Sequence, residues 1–301
     1  MVPVHDAEAT LDDALADICA QTMTDFEALI VLNGITDASE TLARRWAADD
    51  RRLRLLVLED ADLVNALNAG LDAARAPLVA RFDADDRMAP TRLARQVAAM
   101  NAHPDWALTS AGVHVEAVDG GPAGPGMARL AARLNGLTTP AAIRAARFID
   151  VPVVHPAVIF RAERVRSLGG YRAGDFGEDH DLWLRMLARG DRFGMVDETL
   201  VTWRDHAARY TRTNQRLRQD ACRALVLRHL VDGPLSGGRA SIVWGGGRCG
   251  RRYARDLRRV GGTVDAIVDI DPAKVGRIVA GGVPIIAADT LGPPDGRLVL
   301  V

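Results

Sequence analysis

Along the first hundred residues, short Val/Ile/Leu runs alternate with stretches whose apolar positions recur three and four residues apart, the pattern of βαβ units feeding a parallel sheet. The runs predict a strand tail at 2–4 and strands at 26–32, 53–58 and 78–82. The periodic stretches predict helices at 9–21, 38–48 and 64–74. The GGPAGPG run at 120–126 supplies turn conformations rather than packing, and reads as a loop within a domain. Beyond it come helical spacing over 127–135 and 140–148, a strand-like stretch at 151–160, and a helix over 176–190 with Leu182, Met186 and Arg189 at i, i+4 and i+7.

A second break, DGPLSGGR at 232–239, marks the domain boundary. It separates an α/β domain over 1–232, ending in a linking helix at 213–232, from a smaller Rossmann-like unit over 239–301. The latter reads as strand 240–244, helix 249–260, strand 264–269 and a last strand at 298–301. An open α/β sheet normally continues with a covering helix, so this smaller unit reads as truncated.

Composition narrows the function. Lys+Arg 38 against Asp+Glu 39 leaves a net charge of −1, no excess with which to hold nucleic acid by counterion release. No apolar stretch reaches membrane-span length and no signal-peptide pattern opens the chain, so the expectation is a cytoplasmic protein, with peripheral association at the inner membrane face as its only membrane role. Cys19, Cys222 and Cys249 lack metal-ligand spacing. Lys274 is the only lysine, which excludes a P-loop and a Schiff-base lysine elsewhere.

Asp83 and Asp85 follow the predicted strand at 78–82, and strand alternation would send both side chains to one side. Two carboxylates at one locus suit a hard divalent cation that completes its shell with phosphate oxygens and water. The plainer reading is a solvated acidic turn that caps the helix after Pro90.

Around these residues the chain resembles the inverting family 2 glycosyltransferases of the GT-A fold, over roughly residues 1–215. The resemblance rests on Val2-Pro3-Val4-His5-Asp6-Ala7-Glu8, Asn33-Gly34-Ile35-Thr36-Asp37, Ala66-Leu67-Asn68-Ala69-Gly70 and Ala80-Arg81-Phe82-Asp83-Ala84-Asp85-Asp86-Arg87, then Pro90-Thr91-Arg92-Leu93. It continues in His155-Pro156, Gly169-Gly170-Tyr171 and Glu178-Asp179-His180-Asp181-Leu182-Trp183-Leu184-Arg185. It implies transfer of a sugar from a nucleoside diphosphate sugar, a UDP-sugar being favoured, to a glycan, lipid-linked or protein acceptor, in cell-surface glycan or polysaccharide synthesis. Pro3, His5, Glu8, Asn33 and Asp37 would line the donor pocket, and Asp83 would reach the ribose. Asp85, with Asp83 and His206, would hold Mn²⁺ or Mg²⁺. Asp179 would be the general base, with Glu178 beside it. Trp203-Arg204-Asp205-His206, followed by Arg209, Thr211 and Arg212, resembles a flexible segment closing over the diphosphate, with Arg204 gripping phosphate. His155 and Trp183 would face the acceptor. Family members often carry two acidic residues before the glycine at Gly34, where this chain has Leu32-Asn33.

In the smaller unit, Gly245, Gly247 and Gly250 satisfy GxGxxG between a predicted strand and helix, and Asp269 stands where the ribose-binding acid of a dinucleotide fold is expected. The unit also resembles small Rossmann-like domains fused to some glycosyltransferases, and a docking or nucleotide-sensing role fits better than a dehydrogenase. Two rival functions remain: a non-catalytic sugar-nucleotide binding or regulatory protein, and a sugar nucleotidyltransferase. The nucleotidyltransferase would want a Gly-rich basic loop after the first strand, which residues 5–9 do not offer.

Overall fold

Apolar runs too short for helices build the inner strands: β1 (Val2–Val4), β2 (Ala28–Asn33) and β3 (Leu53–Leu58) pair in parallel, with β2 in the middle and buried along its whole length. The computed structural model describes residues 1–207, 219–279, 281–293 and 295–300, in two units, Met1–Gln215 and Arg216–Val301. In the first unit, helices α1 (Leu11–Cys19), α2 (Ser39–Asp49) and α3 (Leu63–Ala73) connect and follow these strands. The next strand, β4 (Leu78–Ala80), continues this sheet: the Met1 amino nitrogen donates to the Ala80 carbonyl at 2.8 Å, and the Phe82 amide donates to the Met1 carbonyl at 3.2 Å, the alternation of a parallel pair. The loops after β1, β2 and β4 therefore emerge at one sheet edge, the carboxyl edge where open α/β sheets bind ligands.

Beyond β4 the unit becomes mixed. Strand β5 (Arg87–Met88), helix α4 (Arg92–Ala102), the long strand β6 (Trp106–Ala117), helices α5 (Pro125–Asn135) and α6 (Pro140–Ala146), strand β7 (Ile159–Arg161), helices α7 (Ala162–Arg166) and α8 (Glu178–Ala188), and strand β8 (Arg192–Asp205) follow. The second sheet runs β4-β7-β6-β8-β5. The strand expected over 151–160 is mostly something else: His155–Ala157 form one 3₁₀ turn and only Ile159–Arg161 pair. Pro152 and Pro156 lack the N–H a ladder needs. One core lies between α3, α8 and this sheet, around Leu71, Phe160, Trp183 and Phe193; another lies between β1, β2, α1 and α2, around Leu11, Leu15, Ile30 and Leu32.

The second unit holds helix α9 (Gln219–Asp232), strand β9 (Ala240–Trp244), helix α10 (Arg248–Arg259), and strands β10 (Thr263–Asp269), β11 (Ile278–Val279), β12 (Val283–Ala287) and β13 (Leu298–Leu300). Its sheet order is β11-β12-β10-β9-β13, parallel except for β11. Helix α9, expected to close the larger domain, packs on α10 within this unit. Residues 213–218 of that expected helix, and Val301, lie outside the described residues.

Candidate active site

Strand β4 stops at Ala80, so alternation along a strand does not align Asp83 with Asp85; a turn at Ala84–Asp85 does. Carboxylate oxygens of Asp83, Asp85 and Asp86 lie within 4.8 Å of one another. Three negative charges so close need compensation, and each has it. The buried Arg81 guanidinium is ion-paired with Asp83. His206 Nε2 lies 2.8 Å from Asp85 Oδ2. Asp86 is fully buried and accepts the Arg204 backbone N–H at 2.9 Å. Asp83 and Asp85 stay half-exposed, and their oxygen-only donor set fits a hard divalent cation. Asp86 is committed to the frame.

Arg204 departs from expectation. Trp203, Arg204 and Asp205 end β8 in register with Val115, Glu116 and Ala117 of β6, so this stretch is sheet rather than a closing segment. Arg204 is 6% exposed; its Nε donates to the Asp85 carbonyl at 2.6 Å and its Nη1 to Asp13 Oδ2 at 3.0 Å. It straps the acidic turn to α1 and does not present its fork to a phosphate. His206, one residue past the strand, does touch the acidic turn. Arg209, Thr211 and Arg212 lie outside the described residues.

Glu178 and Asp179 open α8, where the macrodipole favours negative charge. Burial, with the Asp179 charge next, pushes the Glu178 carboxyl up to about 7, and burial raises Asp179 as well. Neighbouring carboxyls titrate as a pair. The Arg81 charge pulls both downward, so one arginine acts on the acidic turn and on this pair.

His155 and Trp183, expected at an acceptor surface, sit behind the pair. His155 Nδ1 is 3.8 Å from Glu178 Oε1, and Nε2 is 3.0 Å from the Tyr171 hydroxyl. Burial first and then Arg81 hold the imidazole well below its usual range, so it is neutral at physiological pH. Trp183 has no exposed surface; its ring meets His155 and Phe193 edge-on, at 5.7 and 5.8 Å between centroids. His155 thus lies between Glu178 and the Trp183 ring in the core. Tyr171 is fixed in turn by Asn68, whose Oδ1 accepts the Tyr171 N–H at 2.9 Å while its Nδ2 donates to the Tyr171 carbonyl at 3.0 Å. Gly170 has φ +71°, and a Cβ there would collide with Asn68 Oδ1.

The donor-loop residues mostly hold each other. Pro3 is buried in β1 opposite Val31. Asn33 is buried, and its Oδ1 accepts the Asp62 N–H at 2.9 Å, which fixes the loop before α3. Glu8 Oε2 accepts the Ala38 N–H at 3.0 Å; Asp37 accepts from Glu8 N and Ser39 N, both at 2.9 Å; Asp6 accepts from Thr36 N and Oγ1 at 2.7 and 2.6 Å. His5 is exposed, as is Glu8, and its Nδ1 lies 2.9 Å from the Asn33 carbonyl. Arg81, Asp13, Asn68 and Tyr171 are the residues to which sequence reasoning gave no role. An arginine directly after an apolar strand was the one signal for Arg81.

In the second unit the glycine turn forms as expected. A Cβ on Gly250 would run into the Gly245 carbonyl, so the third glycine brings helix and strand together. Gly247 precedes the first turn of α10. Asp269 is buried, however, and accepts Gly246 N at 2.7 Å, Asp271 N at 2.8 Å and Lys274 Nζ at 3.1 Å. Its carboxylate closes the turn and does not await a ribose.

The family model for Glycosyl transferase family 2 matches residues 1–143. The chain is 30% identical over 195 residues to the amylovoran biosynthesis glycosyltransferase AmsE of Erwinia amylovora, covering 64% of this chain and 69% of that one. It is 26% identical over 202 residues to the Escherichia coli UDP-Gal:alpha-D-GlcNAc-diphosphoundecaprenol beta-1,3-galactosyltransferase, covering 67% and 70%. Among solved structures, S. aureus TarS in complex with UDP-GlcNAc aligns with a TM-score of 0.61 and 14% identity, covering 86% of this chain and 70% of that one. The last likeness is one of fold.

Proposed function

The chain belongs to glycosyl transferase family 2, and we propose that it moves one sugar from a nucleoside diphosphate sugar, a UDP-sugar in first place, to an acceptor hydroxyl with inversion at the anomeric carbon. The observation that carries this reading is the buried, pKa-raised Glu178–Asp179 pair sharing Arg81 with a half-exposed carboxylate cluster. Asp179 takes the acceptor proton on a carboxylate oxygen, and Glu178 orients the acceptor and keeps the pair's affinity for a proton near neutrality. Neutral His155, hydrogen-bonded to Tyr171, packs beside Glu178 without adding charge. Asp83 and Asp85 would hold Mn²⁺ or Mg²⁺, which when bound neutralises charge on the leaving diphosphate. His5, exposed in the opening loop, is the side chain we assign to meet the nucleotide.

The relatives' names, amylovoran biosynthesis and a diphosphoundecaprenol acceptor, support polysaccharide assembly on a lipid-linked diphosphate acceptor. We take Met1–Gln215 as the transferase domain and Arg216–Val301 as a docking module. Calorimetry of UDP-sugar binding with and without Mn²⁺ tests the metal role. Wild type should bind donor in a Mn²⁺-dependent way and Asp85→Ala should not; unchanged Mn²⁺ dependence in the variant refutes it. A non-catalytic sugar-nucleotide binder has no use for a buried proton acceptor, and acceptor-dependent release of nucleoside diphosphate separates the two readings.

A further inference from the structure

Helix α10 carries six arginines among twelve residues: Arg248, Arg251, Arg252, Arg255, Arg258 and Arg259. At about 100° per residue they fall within an arc of about 120°. The opposite face turns Ala254 and Leu257 into the core at 1% and 0% exposure, which fixes the helix rotation and sends the arginines outward. Five of the six are exposed and Arg252 is half-buried. The one acid on the helix, Asp256, is shared by Arg255 and Arg223 at 3.2 Å, Arg259 at 3.7 Å and Arg252 at 3.8 Å. Asp220 of α9 pairs with Arg223 and Arg252. Among the described residues no carboxylate lies within ion-pair distance of Arg248, Arg251 or Arg258. In a chain of net charge −1, this face concentrates a surplus of positive charge that folding alone does not require.

We propose that the arginine face of α10 docks the protein on an anionic phospholipid bilayer. The proposal rests on the lipid-linked acceptor named above, because such an acceptor confines the reaction to a membrane surface. A planar array of lipid phosphates matches a flat stripe of guanidiniums, which bind phosphate by bidentate hydrogen bonds as well as by charge. Each basic residue near an anionic leaflet strengthens binding by about five-fold. The attraction falls off within a Debye length and therefore weakens with salt.

The test is co-sedimentation of the full chain with vesicles of phosphatidylglycerol and phosphatidylcholine, against vesicles of phosphatidylcholine alone. The expected result is binding to the anionic vesicles only, lost between about 0.1 M and about 1 M salt as the Debye length shrinks from about 10 to about 3 Å. The triple variant Arg248→Gln, Arg251→Gln, Arg255→Gln should bind roughly a hundred-fold more weakly. Should that variant unfold at a lower temperature, the corresponding triple Lys variant replaces it and should retain most of the binding. Equal binding by the Gln variant, or no preference for anionic vesicles, overturns the proposal. So does tighter binding of a DNA duplex than of vesicles at equal phosphate concentration, which would mark the face as a nucleic-acid surface. Sugar transfer to a soluble acceptor, measured alongside, keeps the outcomes apart: a protein that binds vesicles but transfers nothing loses the transferase reading alone, and one that transfers but ignores vesicles loses only the docking surface.

Discussion

The Arg81 guanidinium is buried against the Asp83 carboxylate, and the same charge lowers the proton affinity of Glu178 and Asp179. A single arginine thus acts on both the acidic turn and the Glu178–Asp179 pair. Arg81→Met should move the acid limb of kcat/KM against pH toward higher pH, because the carboxyls lose the charge that favours their ionised form. A limb that stays put would mean the two sites are electrically independent.

Asp179→Asn removes a proton acceptor while keeping shape and hydrogen-bonding capacity. The expected loss in kcat is about 10²- to 10⁴-fold, with donor affinity in calorimetry unchanged. Equal loss of donor affinity would reassign Asp179 to binding.

Glu178 titrates near 7 in the folded protein and near 4.5 in the unfolded chain. Between those values the folded state binds more protons, so its contribution to stability is greatest below pH 4.5 and declines as pH rises to about 7. Glu178→Gln should abolish this decline and, measured by urea unfolding at pH 8 relative to pH 4, gain on the order of 2 kcal/mol over wild type. Parallel curves for the two proteins would exclude the raised carboxyl.

Asn68→Ala strips both hydrogen bonds from the Tyr171 backbone and should cost about 1–3 kcal/mol, read as a lower melting temperature. Gly170→Ala adds a collision to a left-handed backbone and should do at least as much damage. Either change loosens the hydroxyl that holds His155, so kcat should fall further than donor affinity.

Arg204→Lys keeps the charge but cannot serve the Asp85 carbonyl and Asp13 together. Mn²⁺-dependent donor binding should weaken several-fold as the acidic turn loosens. If Arg204 instead gripped phosphate, donor binding would weaken equally with and without metal.

Most elements of the first hundred residues were legible, because buried β-branched runs and amphipathic helices leave different periods. Strands β6 and β8 were not. Gly194 and the polar Asp197-Glu198 interrupt the apolar pattern of β8, and the pairing with β6 carries register shifts around Gly112. The acidic turn and the Glu178–Asp179 pair are visible as clustered charge in the sequence. Which of the expected acids stay free to meet a ligand is not, since Glu8 and Asp37 look like donor-pocket residues until their backbone N–H partners, close in space and far apart along the chain, are seen.

The Asp6–Thr36, Asp37–Glu8 and Glu8–Ala38 bonds join the loop after β1 to the loop after β2, with Asp6 held at φ +44°. Under the proposed function, two segments that would otherwise lose freedom on meeting a nucleotide have lost it during folding. Ligand affinity is then not diminished by the cost of immobilising them, and association proceeds without waiting for a loop to find its shape.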